Sequence, residues 1–353
     1  MASIGKLEKE FDVVIAGGGI AGMTAGVTSA RLGRTTLVLT GEVLGGQLVS
    51  IEKIEGFPGF PDGVPGYDLC PMMQEQAVTS GAEVMMNSLE CVHSQGAGWR
   101  VTTEAGDILA RSIILATGST LKKLNIPGEE RLTGRGVSHC ASCDALLFRD
   151  RIVAVVGGGD SAMQEALTLA GFASKVIIIH RGGALTGQTS YRDRVTAHPR
   201  IDIRFGTAVS EILGEATVTG LRTHSSNDGV VSDLEVAAVF AYTGLQPNTT
   251  FLKDWINLDP AGRIPTDGWM RTGLAGVCAA GNVRCQSPHR AVSAAGDGAS
   301  AAVAVDRYLA DGSWANASWQ DGRIDKTNNG DRQLFGRDPQ PRASSSPAGR
   351  IGS

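Results

Sequence analysis

The sequence predicts an α/β fold of two βαβ units, because one three-part pattern occurs twice. In the first unit the strand 11–16 (FDVVIA) precedes the glycine-rich segment 17–22 (GGGIAG), a helix to about residue 32 and the strand 35–40. In the second unit the strand 151–156 (RIVAVV) precedes the segment 157–162 (GGGDSA), a helix and the strand KVIIIH. Short buried strands alternating with helices are typical of parallel sheets. We therefore expect two Rossmann-like units of three-layer ββα type.

Each glycine segment has the spacing of a turn that binds a dinucleotide. In such a turn the first glycine permits a tight bend, the second lets the backbone approach a pyrophosphate, and the third packs the helix against the strand. The residues at these positions are Gly17, Gly19 and Gly22 in the first unit, and Gly157, Gly159 and Ala162 in the second, where Asp160 and Ser161 open the helix. Both segments follow a strand and open a helix, so the sequence predicts two nucleotide-binding domains.

The residues after the second strand of each unit indicate which nucleotide binds. An acidic residue there binds the ribose of NAD, whereas an arginine accommodates the 2′-phosphate of NADP. The first unit has Thr40-Gly41-Glu42 at this point, which argues against a simple NAD site. The strand of the second unit ends in His180 and Arg181, and this positive charge favours NADPH.

Two of the six cysteines, Cys140 and Cys143, form a C-x-x-C pair just before the second unit. The pair has three interpretations: a redox dithiol, a zinc site, or two inert structural thiols. Its place between two nucleotide units favours the redox interpretation, and Asp144 follows at once as an acid. Zinc would need two further ligands, and Cys285 and His289 do not repeat the pattern, so no metal is predicted. We expect the other cysteines to be small buried residues: Cys70, Cys91, Cys278 and Cys285.

Bulk properties bound the remaining partners. The 353-residue chain has a net charge of −4 and a pI near 5.9, which provides no basic surface for nucleic acid. We see no apolar run near the ~20 residues that cross a bilayer and no apolar signal core. We therefore expect no nucleic acid, no membrane and a cytoplasmic location. The polar segment 313–353 predicts a disordered tail, with Trp314, Trp319 and Phe335 as its only apolar anchors.

Seven motifs together resemble the low-molecular-weight bacterial thioredoxin reductases, flavoproteins among the pyridine nucleotide-disulfide oxidoreductases. They are GGGIAGMTAG, GEVLGGQL, GFPGFP, ATGS, GRGVSHCASCDA, GGGDSAMQEAL and GVCAAGNV, and the resemblance covers about residues 10–311. It implies a noncontiguous FAD domain at 1–120 and 245–312. A domain for NAD(P)H and the redox dithiol, at 121–244, is inserted into it.

The resemblance also implies roles for individual residues. Cys143 faces the flavin, Cys140 exchanges with the disulfide of a thioredoxin-like protein, and Asp144 protonates the departing thiolate. The residues implied to bind FAD are Gly17, Gly19, Gly22, Gly45, Gly46, Gln47, Ala116, Gly118, Asn282, Arg290 and Ala291. Those implied to bind the nicotinamide nucleotide are Gly157, Gly159, Asp160, Ser161, His180 and Arg181.

The chain departs from the family pattern at three places. After Arg181 the family has a second arginine and a further one a few residues on, whereas this chain has residues 182–186 (GGALT). Each missing contact with a phosphate removes about 1.5–3 kcal/mol. We therefore expect weak selectivity for NADPH, leaving NADH or another donor open, with Arg192 and Arg194 as candidate replacements. Asn282 replaces an aspartate of the FAD loop, and Arg290 replaces a glutamine, where a cation would stabilise reduced flavin.

The resemblance implies a homodimeric FAD-dependent disulfide oxidoreductase that passes electrons from NAD(P)H through FAD and Cys140/Cys143 to a protein disulfide such as that of thioredoxin. An alternative keeps the flavin and dithiol but not NADPH: a ferredoxin- or diflavin-linked reductase, or a dithiol oxidase. Asp144 argues against the oxidase, because such oxidases commonly carry histidine at that position. A third hypothesis is a non-catalytic flavin-binding regulator, in which Cys143→Ser would leave function intact.

Overall fold

The structure, a computed structural model, describes residues 9–252 and 255–314. The predicted disordered tail, including Trp319 and Phe335, lies outside these residues except for its first two positions. Trp314 is described, and its indole packs edge-on against Tyr308, with ring centroids 5.3 Å apart.

The secondary structure follows the predicted βαβ units and adds elements between them. The first elements are β1 (Glu10–Ala16), α1 (Ile20–Arg31), β2 (Thr36–Leu39), a 3₁₀ helix (Gly46–Ser50), α2 (Gly66–Thr79), β3 (Glu83–Met85), β4 (Leu89–Gln95), β5 (Gly98–Thr103), β6 (Gly106–Leu115), β7 (Ser119–Leu121) and α3 (Glu129–Leu132). There follow β8 (Val137–Ser138), α4 (Ala141–Asp144), a 3₁₀ helix (Ala145–Phe148), β9 (Ile152–Val156), α5 (Asp160–Ala170), β10 (Lys175–Ile179), α6 (Thr189–Ala197) and β11 (Ile201–Arg204). The last are β12 (Thr207–Leu213), β13 (Gly220–Ser225), β14 (Val231–Glu235), β15 (Ala238–Ala241), β16 (Leu245–Pro247), a 3₁₀ helix (Thr250–Leu252), β17 (Val277–Ala279), a 3₁₀ helix (Gly281–Val283) and α7 (Ala291–Asp311).

Two sheets with parallel cores organise the molecule. The larger has seven strands in the order β3-β2-β1-β6-β5-β4, with β17 also paired to β6. Strands β3, β2, β1, β6 and β17 pair in parallel, and β5 and β4 extend the sheet in antiparallel fashion. The second sheet has five strands in the order β11-β10-β9-β15-β8, and all its pairs are parallel. The predicted α/β fold with two βαβ units is confirmed.

Two small antiparallel sheets complete the fold. Strands β12, β13 and β14 form one of them, and β7 pairs with β16 through Leu121 opposite Leu245. The chain therefore leaves the first sheet after β6 and returns beside the same point after β15. The apolar run 234–244 is divided between the exposed β14 and the fully buried β15, which belong to different sheets.

The core packs around the first βαβ unit. Helices α1 and α7 lie against each other on one face of the large sheet, and a Cβ atom on Gly298 would lie only 2.1 Å from the Ala21 carbonyl oxygen. Among the largest fully buried side chains are Ile15, Met23 and Leu115. This close packing fixes the start of α1, and hence the first glycine turn, relative to α7.

Candidate active site

The first glycine turn is determined by backbone contacts. Gly17 has φ +122°, and a Cβ atom there would lie 2.1 Å from the Ala116 carbonyl oxygen. A Cβ atom on Gly22 would lie 1.8 Å from the Gly17 carbonyl oxygen, so only glycine lets α1 begin this close to the strand. Around Gly19 the nearest atom is the Gly45 carbonyl oxygen at 4.0 Å. The start of α1 therefore has space beside it for a ligand phosphate.

A second loop lies beside the open side of this turn. Gly45 and Gly46 have φ +86° and +57°, and the Gly45 N–H donates to the Gly18 carbonyl at 3.0 Å. Gln47 Nε2 donates to the Ser119 carbonyl at 2.5 Å, next to Gly118 with φ +65°. The buried Ser119 hydroxyl has no hydrogen-bond partner among the described residues. An unpartnered buried hydroxyl beside an open glycine turn fits a polar ligand at this place.

A buried ion pair positions the loop between β17 and α7. Asp297, on α7, accepts hydrogen bonds from Arg284 Nε at 2.6 Å and Nη2 at 2.8 Å, and from the Gly281 N–H at 3.0 Å. Asp297 is buried and Arg284 is partly buried, and the carboxylate receives donors at both oxygens. Asn282 lies within this loop and accepts a hydrogen bond from the Ser287 hydroxyl at 3.3 Å. The sequence reasoning did not identify Asp297.

The second glycine turn repeats the geometry of the first. Gly157 has φ +148°, and a Cβ atom there would lie 2.4 Å from the Tyr242 carbonyl oxygen. Ala162, at the third position, is fully buried. No atom lies within 4 Å of a Cβ placed on Gly159 in the part of the chain that is described. This turn also leaves room for a phosphate at the start of a helix.

Asp160, the first residue of α5, connects three segments. Its Oδ1 accepts the Gln188 N–H at 2.6 Å, and its Oδ2 forms an ion pair with Arg290. Arg290 precedes α7, so the predicted flavin-site cation contacts the second glycine turn instead of standing free. The pKa of the neighbouring His289 lies below its ordinary value. The main cause is desolvation of the imidazole, and the positive charges of Arg263 and Arg290 add to it.

A cavity of about 870 Å³ extends from the second turn towards the start of α7. It is lined by Ser161 and Ala291, and by His180 and Arg181 at the end of β10. Arg181 is exposed at its rim. The structure thus brings together the residues that the sequence predicted for a nicotinamide nucleotide and two of those it predicted for FAD.

The candidate replacement arginines point elsewhere. Arg194 Nη1 contacts Glu55 Oε1 at 3.0 Å, and Arg192 Nη2 donates to the Thr189 hydroxyl at 2.8 Å. Neither Arg192 nor Arg194 is among the described residues that line the cavity. Of these three arginines, Arg181 is the one that lines the cavity.

The cysteine pair forms a disulfide on a short helix. Cys140 and Cys143 are bonded, with Cα atoms 5.3 Å apart, and α4 begins between them. The Cys143 N–H donates to Cys140 Sγ at 3.2 Å, and Asp144 ends the helix. Cys143 is exposed and Cys140 is half-buried. In the described segments there is no cluster of three or more potential metal-binding side chains.

Three side chains beside the disulfide were not identified from the sequence. Leu146 and Leu147 follow α4 and are 62% and 75% exposed. Glu165, on α5, accepts a hydrogen bond from the Ala141 N–H at 2.9 Å. The two leucines could have been noticed in the sequence, because they closely follow the C-x-x-C motif. A single glutamate on a helix, by contrast, gives no sequence signal.

The remaining cysteines divide into two groups. Cys70 and Cys278 are buried as expected, and burial raises the pKa of the Cys70 thiol to about 11. The expectation was wrong for Cys91 and Cys285, which are partly exposed. Burial, and then a hydrogen bond to Asp259, raises the pKa of Cys285 to about 11. The thiols of Cys70 and Cys285 are therefore poor nucleophiles.

Within residues 9–252 and 255–314, none of the helices has the length and apolar character that crossing a membrane requires.

Comparison with known proteins gives consistent matches. Residues 11–298 match the family described as pyridine nucleotide-disulphide oxidoreductase. The chain is 40% identical over 302 residues to the thioredoxin reductase of Streptomyces coelicolor, covering 85% of this chain and 94% of that one. It is 38% identical over 329 residues to the bifunctional thioredoxin reductase/thioredoxin of Mycobacterium leprae, covering 92% and 72%. The crystal structure of Lactococcus lactis thioredoxin reductase in its FR conformation superposes with a TM-score of 0.83 at 36% identity, covering 85% and 99%.

Proposed function

The chain belongs to the low-molecular-weight thioredoxin reductases within the pyridine nucleotide-disulphide oxidoreductases, and from this membership we propose how its own residues serve the reaction. It is a flavin-dependent disulfide reductase, and the family uses FAD and NADPH. We infer that residues 1–120 and 245–312 bind FAD, and that residues 121–244 carry the dithiol and bind the nicotinamide nucleotide. The pairing of β7 with β16, where the chain leaves and re-enters the first sheet, supports these boundaries.

The first turn fits FAD. The open space at Gly19 and the close contacts at Gly17 and Gly22 support a pyrophosphate at the start of α1. The residues that would surround the rest of the cofactor are Gly45, Gly46, Gln47, Ala116, Gly118, Asn282, Arg290 and Ala291. When bound, FAD takes an electron pair from reduced nicotinamide and passes it to a disulfide.

The second turn fits the nicotinamide nucleotide. Gly157 and Gly159 leave the start of α5 open to a pyrophosphate, and Ser161 can donate to it. His180 and Arg181 lie at the end of β10, where they would contact the ribose of the adenosine. The Asp160 carboxylate binds the Gln188 N–H and the Arg290 side chain, and it thereby holds these two residues in place around the site.

The chemistry of the dithiol follows from Cys140, Cys143 and Asp144. After reduction, the Cys140 thiolate attacks a sulfur of the partner's disulfide; a new S–S bond forms and the partner's bond breaks. Asp144 gives a proton to the departing sulfur. The Cys143 thiol then loses its proton and attacks Cys140 Sγ, which restores the internal disulfide and breaks the bond to the partner; the partner's second sulfur leaves with that proton as a thiol. Asp144 regains its proton from solvent, so atoms and charge balance over the two exchanges.

Thioredoxin is the disulfide partner that the relatives indicate. The Mycobacterium leprae relative joins thioredoxin reductase and thioredoxin in one chain. Leu146 and Leu147 provide exposed apolar surface within four residues of Cys143, which suits docking of a small folded protein. Replacing both leucines by serine should raise KM for thioredoxin at least tenfold without changing the reduction of a small disulfide reagent.

Two further properties are part of the proposal. The family is homodimeric by resemblance, and the exposed Tyr67, Met72 and Val78 on α2 offer apolar surface for a second copy; light scattering of the purified protein measures this. A cytoplasmic location is supported by the four free cysteines, since reducing compartments keep thiols unpaired.

The observation that carries the proposal is the Cys140–Cys143 disulfide placed beside the helix of the second glycine turn. The test uses Cys140→Ser and Cys143→Ser with NADPH and a bacterial thioredoxin. Both variants should lose thioredoxin reduction by more than a thousandfold while keeping bound FAD. Cys143→Ser should form a stable mixed disulfide with an activated thioredoxin, and Cys140→Ser should not. Faster trapping by Cys140→Ser would reverse the two roles, and turnover by either variant would reject the mechanism.

A second candidate concerns the donor alone. Arg181 is the single arginine at the predicted 2′-phosphate position, which favours a reductase of the same fold that accepts electrons from NADH, ferredoxin or a second flavin. Steady-state kinetics with each donor distinguish these possibilities. A kcat/KM for NADPH above those of the other donors supports the principal function.

A further inference from the structure

Glu165 forms a partly buried link between the dithiol and the nucleotide-binding helix. Its Oε2 accepts a hydrogen bond from the Ala141 N–H at 2.9 Å and another from the Tyr242 hydroxyl at 3.2 Å. Ala141 directly follows Cys140 and is fully buried. Glu165 itself belongs to α5, the helix that begins at the second glycine turn. One carboxyl group therefore joins the dithiol segment, the nucleotide helix and the residue that follows β15.

We propose that Glu165 is a positioning residue for the dithiol and that its carboxyl group takes up a proton when the Cys140–Cys143 disulfide is reduced. The inference rests on the proposed reductase function and assigns to Glu165 a role that the motifs for cofactor and disulfide exchange do not include. It predicts that the equilibrium between disulfide and dithiol depends on this carboxyl group in the neutral pH range.

The environment of Glu165 favours an exchangeable proton near neutral pH. Burial raises the pKa of Glu165 to about 7, and the nearby Glu52 carboxylate adds to the increase. The hydrogen bonds from Ala141 and Tyr242 oppose it, because both donors stabilise the ionised form. A carboxyl group whose pKa is near neutral pH takes up a proton when a new negative charge appears beside it.

Reduction creates such a charge, and the protons can be counted. Two electrons break the Cys140–Cys143 bond and leave an electron pair on each sulfur. One proton from solvent converts one sulfur to a thiol, and the other sulfur remains a thiolate. A second proton then binds Glu165, because a thiolate in the segment that Glu165 holds through the Ala141 N–H disfavours a second negative charge on the carboxylate. Without Glu165 only one proton would accompany the two electrons.

The titratable groups around this carboxyl come from three packed segments. Tyr242 follows β15, and burial together with Glu165 raises its pKa, so its hydroxyl stays a donor. Glu52 lies after the first 3₁₀ helix. The dithiol helix contributes the two cysteines and Asp144, which also acts on the Tyr242 hydroxyl. His139, just before this helix, directs its Nδ1 towards the Ala241 carbonyl instead.

The test is a redox titration of the dithiol in the FAD-containing protein against glutathione from pH 6 to 9, read by alkylation of thiols and mass spectrometry. Glu165→Gln keeps a hydrogen-bond acceptor for Ala141 and Tyr242 but cannot bind the proton. At each pH the equilibrium constant for reduction of the disulfide is compared between the wild type and Glu165→Gln. The ratio of the two constants should change about tenfold across the neutral pH range, which corresponds to about 30 mV for a two-electron couple. The exposed Glu130→Gln variant serves as the matched control and should follow the wild type.

A second variant tests the hydrogen bond. Tyr242→Phe removes one donor from the carboxylate, which raises the Glu165 pKa, so the pH at which the wild-type curve changes slope should move upwards. Parallel curves for wild type, Glu165→Gln and Tyr242→Phe would overturn the inference. A wild-type protein whose disulfide cannot be reduced with NADPH would instead reject the proposed function, so the two failures are distinguishable.

Discussion

The two glycine turns of this protein have nearly the same backbone but different surroundings. A Cβ atom on Gly17 or Gly157 would lie 2.1 Å or 2.4 Å from a carbonyl oxygen of a neighbouring segment, and the space at Gly19 and Gly159 is open in both. The third position accepts only glycine in the first turn, whereas alanine occupies it in the second. The turn geometry alone therefore does not distinguish a site for a resident cofactor from a site for an exchanging substrate.

The segments packed around each turn do make this distinction. The first turn lies beside the α1–α7 contact and the buried Asp297–Arg284 ion pair, both inside the core. The second turn is bordered by the partly exposed Asp160–Arg290 pair and by Arg181 at the rim of a cavity. Buried contacts suit a group that stays bound, and exposed ones suit a nucleotide that must leave after each turnover. The following predictions test this comparison.

The largest effect should come from Gly17→Ala. The new Cβ atom meets the Ala116 carbonyl, and φ +122° is unfavourable for any other residue, so unfolding free energy should fall by more than about 4 kcal/mol. Flavin absorbance of the purified variant and its thermal unfolding measure this. Gly33→Ala is the matched control, because Gly33 also has positive φ but no atom within 4 Å of a Cβ; it should cost about 1 kcal/mol. Equal effects would contradict the account of the turn.

The next effect should come from Asp297→Asn. Removing one charge from the buried pair with Arg284 should lower the unfolding free energy by about 3 kcal/mol and weaken retention of FAD. Denaturant unfolding and the fraction of flavin released on gel filtration report the two losses. The surface variant Asp107→Asn, which breaks a more exposed pair with Arg100, should leave the unfolding free energy almost unchanged. A small effect of Asp297→Asn would remove the proposed difference between the turns.

A smaller effect, confined to the second turn, should come from Arg181→Gln. The loss of one charge-assisted contact of about 1.5–3 kcal/mol should raise KM for NADPH tenfold or more and leave KM for NADH unchanged. Gly183→Arg should act in the opposite direction, because there is open space at Gly183, with Gly183→Gln as its uncharged control. Equal changes for both nucleotides would show that Arg181 does not contact a 2′-phosphate.

The smallest effect should come from Arg290→Gln. The ion pair with Asp160 is partly exposed, and such pairs contribute about 1 kcal/mol or less, so stability should be almost unchanged. The nicotinamide affinity should change by no more than about fivefold. Isothermal titration with NADP⁺, which does not reduce the flavin, and thermal unfolding check both statements. A large loss of stability would show that this contact belongs to the core, like Asp297.

The sequence predicted the parts of the fold that have strong local patterns. Apolar strands followed by glycine turns identified both βαβ units. Helix α2 was missed because it contains Pro71, which normally interrupts a helix. A continuous apolar run such as 234–244 gives no sign that its halves join different sheets.

The candidate site was predicted where residues belong to motifs and missed where they act through distant contacts. The disulfide and both turns were found from spacing alone. Asp297 and Glu165 each appear as one acidic residue on a helix, which usually means a solvated face. Their partners Arg284 and Ala141 lie 13 and 24 residues away in the chain, and only the packing of the helices brings them into contact.

An anaerobic titration with NADPH, followed by flavin absorbance and thiol counting, tests the central claim most directly. The account predicts that the wild type consumes two equivalents of NADPH per chain, one for FAD and one for the Cys140–Cys143 disulfide, and that Cys143→Ser consumes one. Two new thiols should appear only in the wild type. A flavin that dithionite reduces but NADPH does not, or equal consumption by the two proteins, would contradict the assignment of this chain as an NADPH-dependent dithiol flavoenzyme.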